Sequence, residues 1–289
     1  MADLLFGVNV SPSAAPGADP VGDAAHAEEL GFDFVSTSDH PCGTEPTHEV
    51  WTMLTWIAAR TSRIGIATRV LGVPYRPPAV VAKMAATLDL LSGGRLVLGL
   101  GGGYSDDEFA AFGLGVPTPR EKVEGLEDAI RIARGLWSER DFTFGGRRYR
   151  TERANIEPKP ERHIPIWLGT YGPRALELTG RLADGWIPSY GFAPPDQATA
   201  MRDRVLAAAR DAGRDPDALR LVYNVEVRVG GGGEKRPGVV AGSPQEVAAV
   251  LADLVRLGFT GFNFMPQGPD VRAQRELLAT EVIPALRAG

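Results

Sequence analysis

Asp39-His40, closing the run Ser36-Thr37-Ser38-Asp39-His40, is the pair in this chain best suited to proton chemistry. An imidazole beside a carboxylate can be held in one tautomer, and can donate a hydrogen bond or relay a proton near neutral pH. A structural role is equally open, with Asp39 capping the following loop while His40 packs. Glu45, His48 and Glu49 follow closely, which raises metal-assisted hydrolysis as an alternative. The His-x-x-x-His spacing of a helical metal site is missing, and His26 and His163 fall on an outer helix and a pre-strand loop, so no metal is expected.

Three further segments carry chemistry. Gly99-Leu100-Gly101-Gly102-Gly103-Tyr104 fails the dinucleotide fingerprint, because Tyr104 stands where the third glycine belongs. Such a run lets backbone approach something flat or bulky. Asp106, Asp107 and Glu108 then start a short helix, most simply as favourable charges at its amino end. Gly169-Thr170-Tyr171-Gly172-Pro173-Arg174 joins a strand to a helix. Its free amides, with Thr170 and Arg174, form an anion site in the preferred reading and a simple tight turn in the other. Arg69 follows the small residues Gly65 and Ala67 on one strand face, where it can clamp a phosphate or carboxylate or serve as an ion-pair partner. No nucleophile elbow, Walker loop or paired Cys/His set is present.

The elements that must position these residues alternate. Strands are expected at Leu4–Val10, Phe32–Thr37, Arg63–Val70, Arg95–Leu100, Ile164–Gly169, Gly185–Ile187, Leu219–Val229 and Gly261–Met265. A helix-like stretch follows each, the last at Val271–Leu286. Eight strand–helix pairs predict an α/β fold, a (β/α)8 TIM barrel spanning 1–289 as one domain, with an open doubly wound sheet as the competing topology. Polar residues past the strand ends then lie on the face where such barrels keep their chemistry. Alternating aromatics in Asp141–Lys159 predict a β-hairpin inserted between helix four and strand five. The glycine-rich segment Gly230–Val239 predicts a flexible loop after strand seven, either a lid or a plain surface loop. On that strand Leu221, Tyr223, Val225, Val227 and Val229 share the outward face, while Arg220, Val222, Asn224, Glu226 and Arg228 point inward. Glu226 and Arg228 would line the cavity mouth, and they join Asn9, at the end of strand one, as candidate substrate contacts.

Composition narrows the partners. Hydrophobic residues make up 44% of 289, enough for a large core, and the net charge is −5. No basic cluster exceeds Arg147-Arg148, so neither nucleic acid nor an anionic membrane is expected as a partner. Cys42 is the only cysteine, which removes internal disulfides and thiolate metal sites. Met1–Val10 has no basic region before its apolar residues, and Lys83 and Asp89 interrupt the longest apolar run. A soluble cytoplasmic protein acting on a small molecule is the expectation.

An ordered series of motifs resembles the luciferase-like flavin and deazaflavin oxidoreductase superfamily, in particular its branch using the deazaflavin coenzyme F420. The likeness covers nearly the whole chain. It runs through Ser38-Asp39-His40, Thr68-Arg69-Val70-Leu71, Pro74-Tyr75-Arg76, Thr87-Leu88-Asp89 and Ser92-Gly93-Gly94-Arg95. It continues through Gly101-Gly102-Gly103-Tyr104, Glu108-Phe109 with Gly113, Pro158-Lys159-Pro160, Ile166-Trp167-Leu168-Gly169 and Ala183-Asp184-Gly185-Trp186. The resemblance implies a barrel whose strand ends carry the coenzyme ring, with a homodimer compatible with it. It implies a non-proline cis bond at Arg69–Val70, in a bulge from Thr68 to Val70 behind the ring. Asp39 and His40 would lie near the reactive edge, Gly101, Gly102 and Gly103 beside the ring, and Gly169, Thr170, Tyr171 and Gly172 on the phosphate. His40 or Tyr104 would supply a proton, and a hydride would pass between the deazaflavin and an organic substrate. Sugar-phosphate dehydrogenase relatives have a tryptophan soon after the histidine and a glutamate after the glycine run. Gly43-Thr44 and Tyr104 occupy those neighbourhoods here, which points instead to reduction of a C=C, C=N or C=O bond. An FMN-dependent monooxygenase and a non-catalytic flavin- or ligand-binding barrel are the alternatives.

Overall fold

The computed structural model describes residues 4–230 and 236–288. In chain order the first elements are β1 (Leu5–Asn9), α1 (Pro20–Glu29), β2 (Phe34–Thr37), α2 (Val50–Arg60), β3 (Gly65–Thr68), β4 (Leu71–Gly72) and α3 (Pro78–Leu91). Next come β5 (Leu96–Gly101), α4 (Asp106–Ala111), α5 (Pro119–Ser138), β6 (Phe142–Gly145), β7 (Arg150–Ala154), β8 (Ile166–Leu168) and α6 (Pro173–Leu182). The chain finishes with β9 (Gly185–Trp186), α7 (Pro195–Asp211), β10 (Arg220–Val229), β11 (Val239–Gly242), α8 (Pro244–Arg256), β12 (Gly261–Pro266), α9 (Val271–Leu277) and α10 (Ile283–Ala288).

Parallel pairing runs β1-β2-β3-β5-β8-β9-β10-β12 and returns from β12 to β1, so the sheet closes into the expected eight-stranded barrel and the open-sheet alternative falls. The lumen holds an apolar layer of Phe34, Ala67, Trp167, Ile187 and Val222, while the outward faces of β1, β10 and β12 pack beneath the helices. Strand burial on both faces is what a parallel sheet sheathed in helices requires. The helix starts are fixed locally. Glu49 accepts the Trp51 and Thr52 amides at α2, and Thr118/Glu121 and Ser243/Glu246 close capping boxes at α5 and α8.

Two expected elements change form. The third strand stops at Thr68, the Arg69–Val70 peptide bond is cis, and the chain resumes as β4 beside β5. The last helix is interrupted by a π turn at Leu278–Val282. The inserted hairpin is β6–β7, whose Phe142 and Phe144 belong to a satellite cluster against α3 and α5, away from the strand ends. The core of the expected loop after strand seven, residues 231–235, lies outside the described residues. No helix among the described residues is long and apolar enough to cross a membrane.

Candidate active site

Segments after β2, β3, β5, β8 and β9 surround one cavity of about 310 Å³ at the carboxyl ends of the barrel strands. Beneath it a polar layer is internally satisfied. Ser36 donates to Asn263 (2.8 Å), Asn263 donates to Asn224 (2.8 Å), and Asn224 donates to the Ile187 carbonyl (3.2 Å). Val70 forms part of the wall. A Cβ at Gly101 would lie 2.7 Å from Val70 Cγ2, and one at Gly169 would lie 3.2 Å from it, so both glycines make room for that side chain. Gly103 adopts φ +94° against the Phe109 ring, a backbone that favours glycine. Part of the glycine signal is thus set by protein atoms, and the result is a flat backbone wall along Gly101, Gly102 and Gly103.

Asp39 and His40 do not form a pair, because consecutive residues of an extended segment project to opposite sides. Asp39 is buried; it accepts from the Gly72 amide (3.1 Å) and from Arg76 Nη1 (2.8 Å) and Nη2 (3.0 Å). Arg76 also reaches Glu49 at 2.6 Å. The carboxylate facing His40 is Glu108, with Oε1 2.8 Å from Nδ1, and Tyr75 donates to the other Glu108 oxygen at 2.7 Å. Burial alone would raise the Glu108 pKa, but the hydrogen bonds from Tyr75 and His40 outweigh it and hold the group below its ordinary value. An ionised carboxylate only accepts, so Nδ1 carries the proton and Nε2 is left for a ligand. Burial, followed by the Glu108 bond, pushes the Tyr75 phenol far above its usual range, so it stays a donor.

Glu108 corrects one expectation. It is not merely a charge at the start of α4 but the partner of His40 and Tyr75, while Tyr104 keeps its place directly after the glycine run. Phe109 is buried against Tyr75, with ring centroids 4.8 Å apart, and this turns Glu108 toward the cavity. Among the described residues no three His, Cys, Asp or Glu side chains converge as a metal-ligand set; Asp39 and Glu49 are both engaged by Arg76.

Of the other candidates, Arg69, Val70, Gly101, Gly102, Gly103, Tyr104, Gly169 and Tyr171 line the cavity. Tyr104 is 79% exposed at its lip, 5.9 Å from Phe192, which lies 5.9 Å from Tyr171. Thr68 and Thr170 do not line it. The Thr68 hydroxyl exchanges two 2.8 Å hydrogen bonds with the Gly99 backbone, and the Thr170 hydroxyl is bound to Thr179 at 2.8 Å. Both hydroxyls are consumed inside the barrel wall. Gly172 is the N-cap of α6, where no side chain caps the helix and an added Cβ would meet nothing within 4 Å. Asn9 sits behind Arg69 as its hydrogen-bond acceptor, and Glu226 and Arg228 are half-buried on β10 outside the cavity lining. Asn224, Ser189 and Phe192 were not singled out as site residues and do line it. Inward parity on strand seven already pointed to Asn224, whereas the two loop residues carry no sequence signal.

Known proteins resemble this chain along most of its length. The model of the luciferase-like monooxygenase family matches residues 5–236. An F420-dependent glucose-6-phosphate dehydrogenase of Kineococcus radiotolerans is 30% identical over 311 aligned positions, covering 91% of each chain. A protein of the same name from Nakamurella multipartita is 38% identical over 215 positions, covering 71% of this chain and 61% of that one. Among solved structures, an F420-dependent secondary alcohol dehydrogenase in complex with an F420–acetone adduct superposes with a TM-score of 0.88 at 21% identity, covering 99% of both chains. At that identity the likeness speaks for the barrel alone.

Proposed function

Because the chain belongs to the luciferase-like monooxygenase family, we propose that it is a coenzyme F420-dependent oxidoreductase that moves a hydride between the deazaflavin and a small organic substrate. The observation that carries this reading is the His40–Glu108 pair, which stands at the rim of a strand-end cavity walled by Gly101–Gly103 and Val70. Those residues fit a planar ring, since a glycine wall admits a flat face where side chains would block it. The uncapped start of α6 at Gly172 fits a phosphate, with backbone amides and the helix dipole as the binding groups. When bound, the coenzyme supplies a hydride, which no side chain can provide.

The chain's own residues orient and protonate. Glu108 fixes the His40 tautomer with its proton on Nδ1, so His40 Nε2 is the lone-pair atom that accepts a proton and, once it has taken one up with Glu108 balancing the imidazolium, passes it to a ligand. Arg76 and the Gly72 amide hold the Asp39 side chain in place under the same rim. Ile187, Tyr171, Phe192 and Tyr104 give the remaining wall an apolar and aromatic stretch, and of its polar members Ser189 and Asn224 the latter is already engaged by Ile187 and Asn263. A polyhydroxylated sugar would leave its hydroxyls unmatched against that wall, so we assign reduction of an activated C=C, C=N or C=O bond. The case against a sugar phosphate rests on this wall, on Gly43-Thr44 and on Tyr104.

Fluorescence titration tests the assignment. Saturable binding of F420 in the micromolar range or tighter, with FMN bound at least tenfold more weakly, is the expected result. The reverse preference would move the chain to the flavin monooxygenases of the same family.

A further inference from the structure

Arg69 is the one charged side chain on the cavity wall with no opposite charge at ion-pair distance among the described residues. Its Nε and Nη2 both donate to Asn9 Oδ1, at 3.3 and 3.2 Å. These two atoms form one edge of the planar fork. A guanidinium has five N–H donors, so this leaves the end-on edge, one hydrogen on Nη1 and one on Nη2 pointing in parallel, and the outer Nη1 hydrogen. Burial pulls the Arg69 pKa down, and only Tyr171 and Glu226 oppose that pull, neither of them bonded to it. Asp39 and Glu49 are committed to Arg76, and Glu108 to His40 and Tyr75, so no other cavity carboxylate is free to turn to Arg69. The ion-pair reading of this residue is therefore not realised. A half-buried cation lacking a counter-charge at ion-pair distance gains when an anion reaches it.

Building on the hydride-transfer reading, we propose that Arg69 anchors a carboxylate of the substrate, which is an unsaturated or oxo carboxylic acid with an apolar body. Two parallel donors on a planar cation match the two oxygens of a carboxylate, and Asn9 holds the fork in that attitude. The apolar body meets Ile187, Tyr171 and Phe192, which share the cavity wall with Arg69. A neutral ketone or a free sugar leaves the guanidinium unmatched, so the site selects for the acid.

Isothermal titration with trans-cinnamate, cinnamamide and phenyl phosphate, each with and without oxidised F420, tests the anchor. Wild type should prefer cinnamate over the neutral amide about 30-fold in at least one of the two states, as a charge-assisted bidentate contact implies. Arg69→Gln should abolish that preference by weakening cinnamate alone, while Arg69→Lys retains part of it. Equal binding of acid and amide by wild type in both states overturns the proposal without needing any variant. A preference for phenyl phosphate overturns the carboxylate assignment. An Arg69→Gln protein that keeps its melting temperature but loses F420 in direct fluorescence titration places the residue on the coenzyme instead. Failure of wild type to bind F420, with the cinnamate preference intact, sinks the proposed reaction and leaves the anchor standing.

Discussion

Glu108→Gln isolates what the rim carboxylate does. Two carboxylate oxygens now serve two donors, Tyr75 at 2.7 Å and His40 Nδ1 at 2.8 Å. A glutamine offers one oxygen, and with Tyr75 donating to it the amide NH2 turns to His40 and requires Nδ1 as an acceptor. The substitution should therefore invert the imidazole tautomer, moving the proton from Nδ1 to Nε2. A hydrogen bond to a charged group contributes about 1.5–3 kcal/mol. The His40 side chain is 50% exposed and that of Glu108 13%, which places this bond at the lower end. About 1.5 kcal/mol corresponds to a tautomer ratio of roughly tenfold. Nitrogen-15 NMR of the imidazole reads the ratio directly, with Nδ1 protonated in wild type and Nε2 in the variant. Turnover should fall by about 10- to 30-fold, because Nε2, the lone-pair nitrogen facing the ligand in wild type, carries the proton in the variant and Nδ1 has lost its anionic partner, with little change in melting temperature. Because Glu108 ionises below its ordinary value, it should remain an acceptor for Nδ1 throughout neutral pH. The same Nδ1-protonated fraction in both proteins would refute the reasoning outright.

Arg76→Met strands Asp39, whose side chain is 1% exposed, and should cost about 3 kcal/mol or more of unfolding free energy in urea, unlike the removal of an exposed arginine. Glu28 accepts the backbone amides of Ser62, Arg63 and Ile64. Burial would raise its pKa, but those bonds prevail and lower it to about 2. A depressed carboxylate stabilises above its unfolded value and loses that contribution as pH falls through its folded one. Glu28→Gln should thus lower stability by about 1–2 kcal/mol at neutral pH, discounted for solvent exposure, and flatten the melting-temperature decline between about pH 4.5 and 2.

The barrel was legible because its signals are repetitive. Alternation along strand seven sorted outward from inward residues correctly, and buried strands bounded by helix caps recur eight times. Side-chain direction beyond a strand end is a different matter. Asp39 and His40 are adjacent in sequence and diverge in space, and Glu108 is aimed by the packing of Phe109 against Tyr75, a contact between residues 34 positions apart. Thr68 and Thr170 were misread for a related reason. A hydroxyl near a loop looks available, but its rotamer is set by whichever backbone or side-chain partner the fold brings closest, here Gly99 and Thr179. Arg69 stood out in sequence because a long cation followed small lumen residues, and that volume contrast survives into the structure.

The charges at the strand ends show which groups are free to meet ligands. Arg76 neutralises Asp39 and engages Glu49, a fixed arrangement whose Asp39 end is buried and whose hydrogen bonds also tie down Gly72 and the start of α2. Glu108 is occupied by one imidazole and one phenol. Glu226 acts on Arg69 only at a distance, with no ion pair between them. Among the titratable and charged groups of the lining, His40 Nε2 and the end-on edge of Arg69 remain available to ligands on the cavity side, beside the hydroxyls of Tyr104 and Tyr171. The first is an imidazole that can exchange a proton with a ligand, and the second is a guanidinium that keeps its charge. A reaction that adds a hydride to a carbon needs both kinds of group, a proton source and a fixed positive charge near the oxygen that gains electron density. The two stand on neighbouring strand ends, after β2 and β3, and each is held by a partner that leaves its outward atoms free. Removing either partner, Glu108 or Asn9, should therefore disturb function through orientation while leaving the barrel intact.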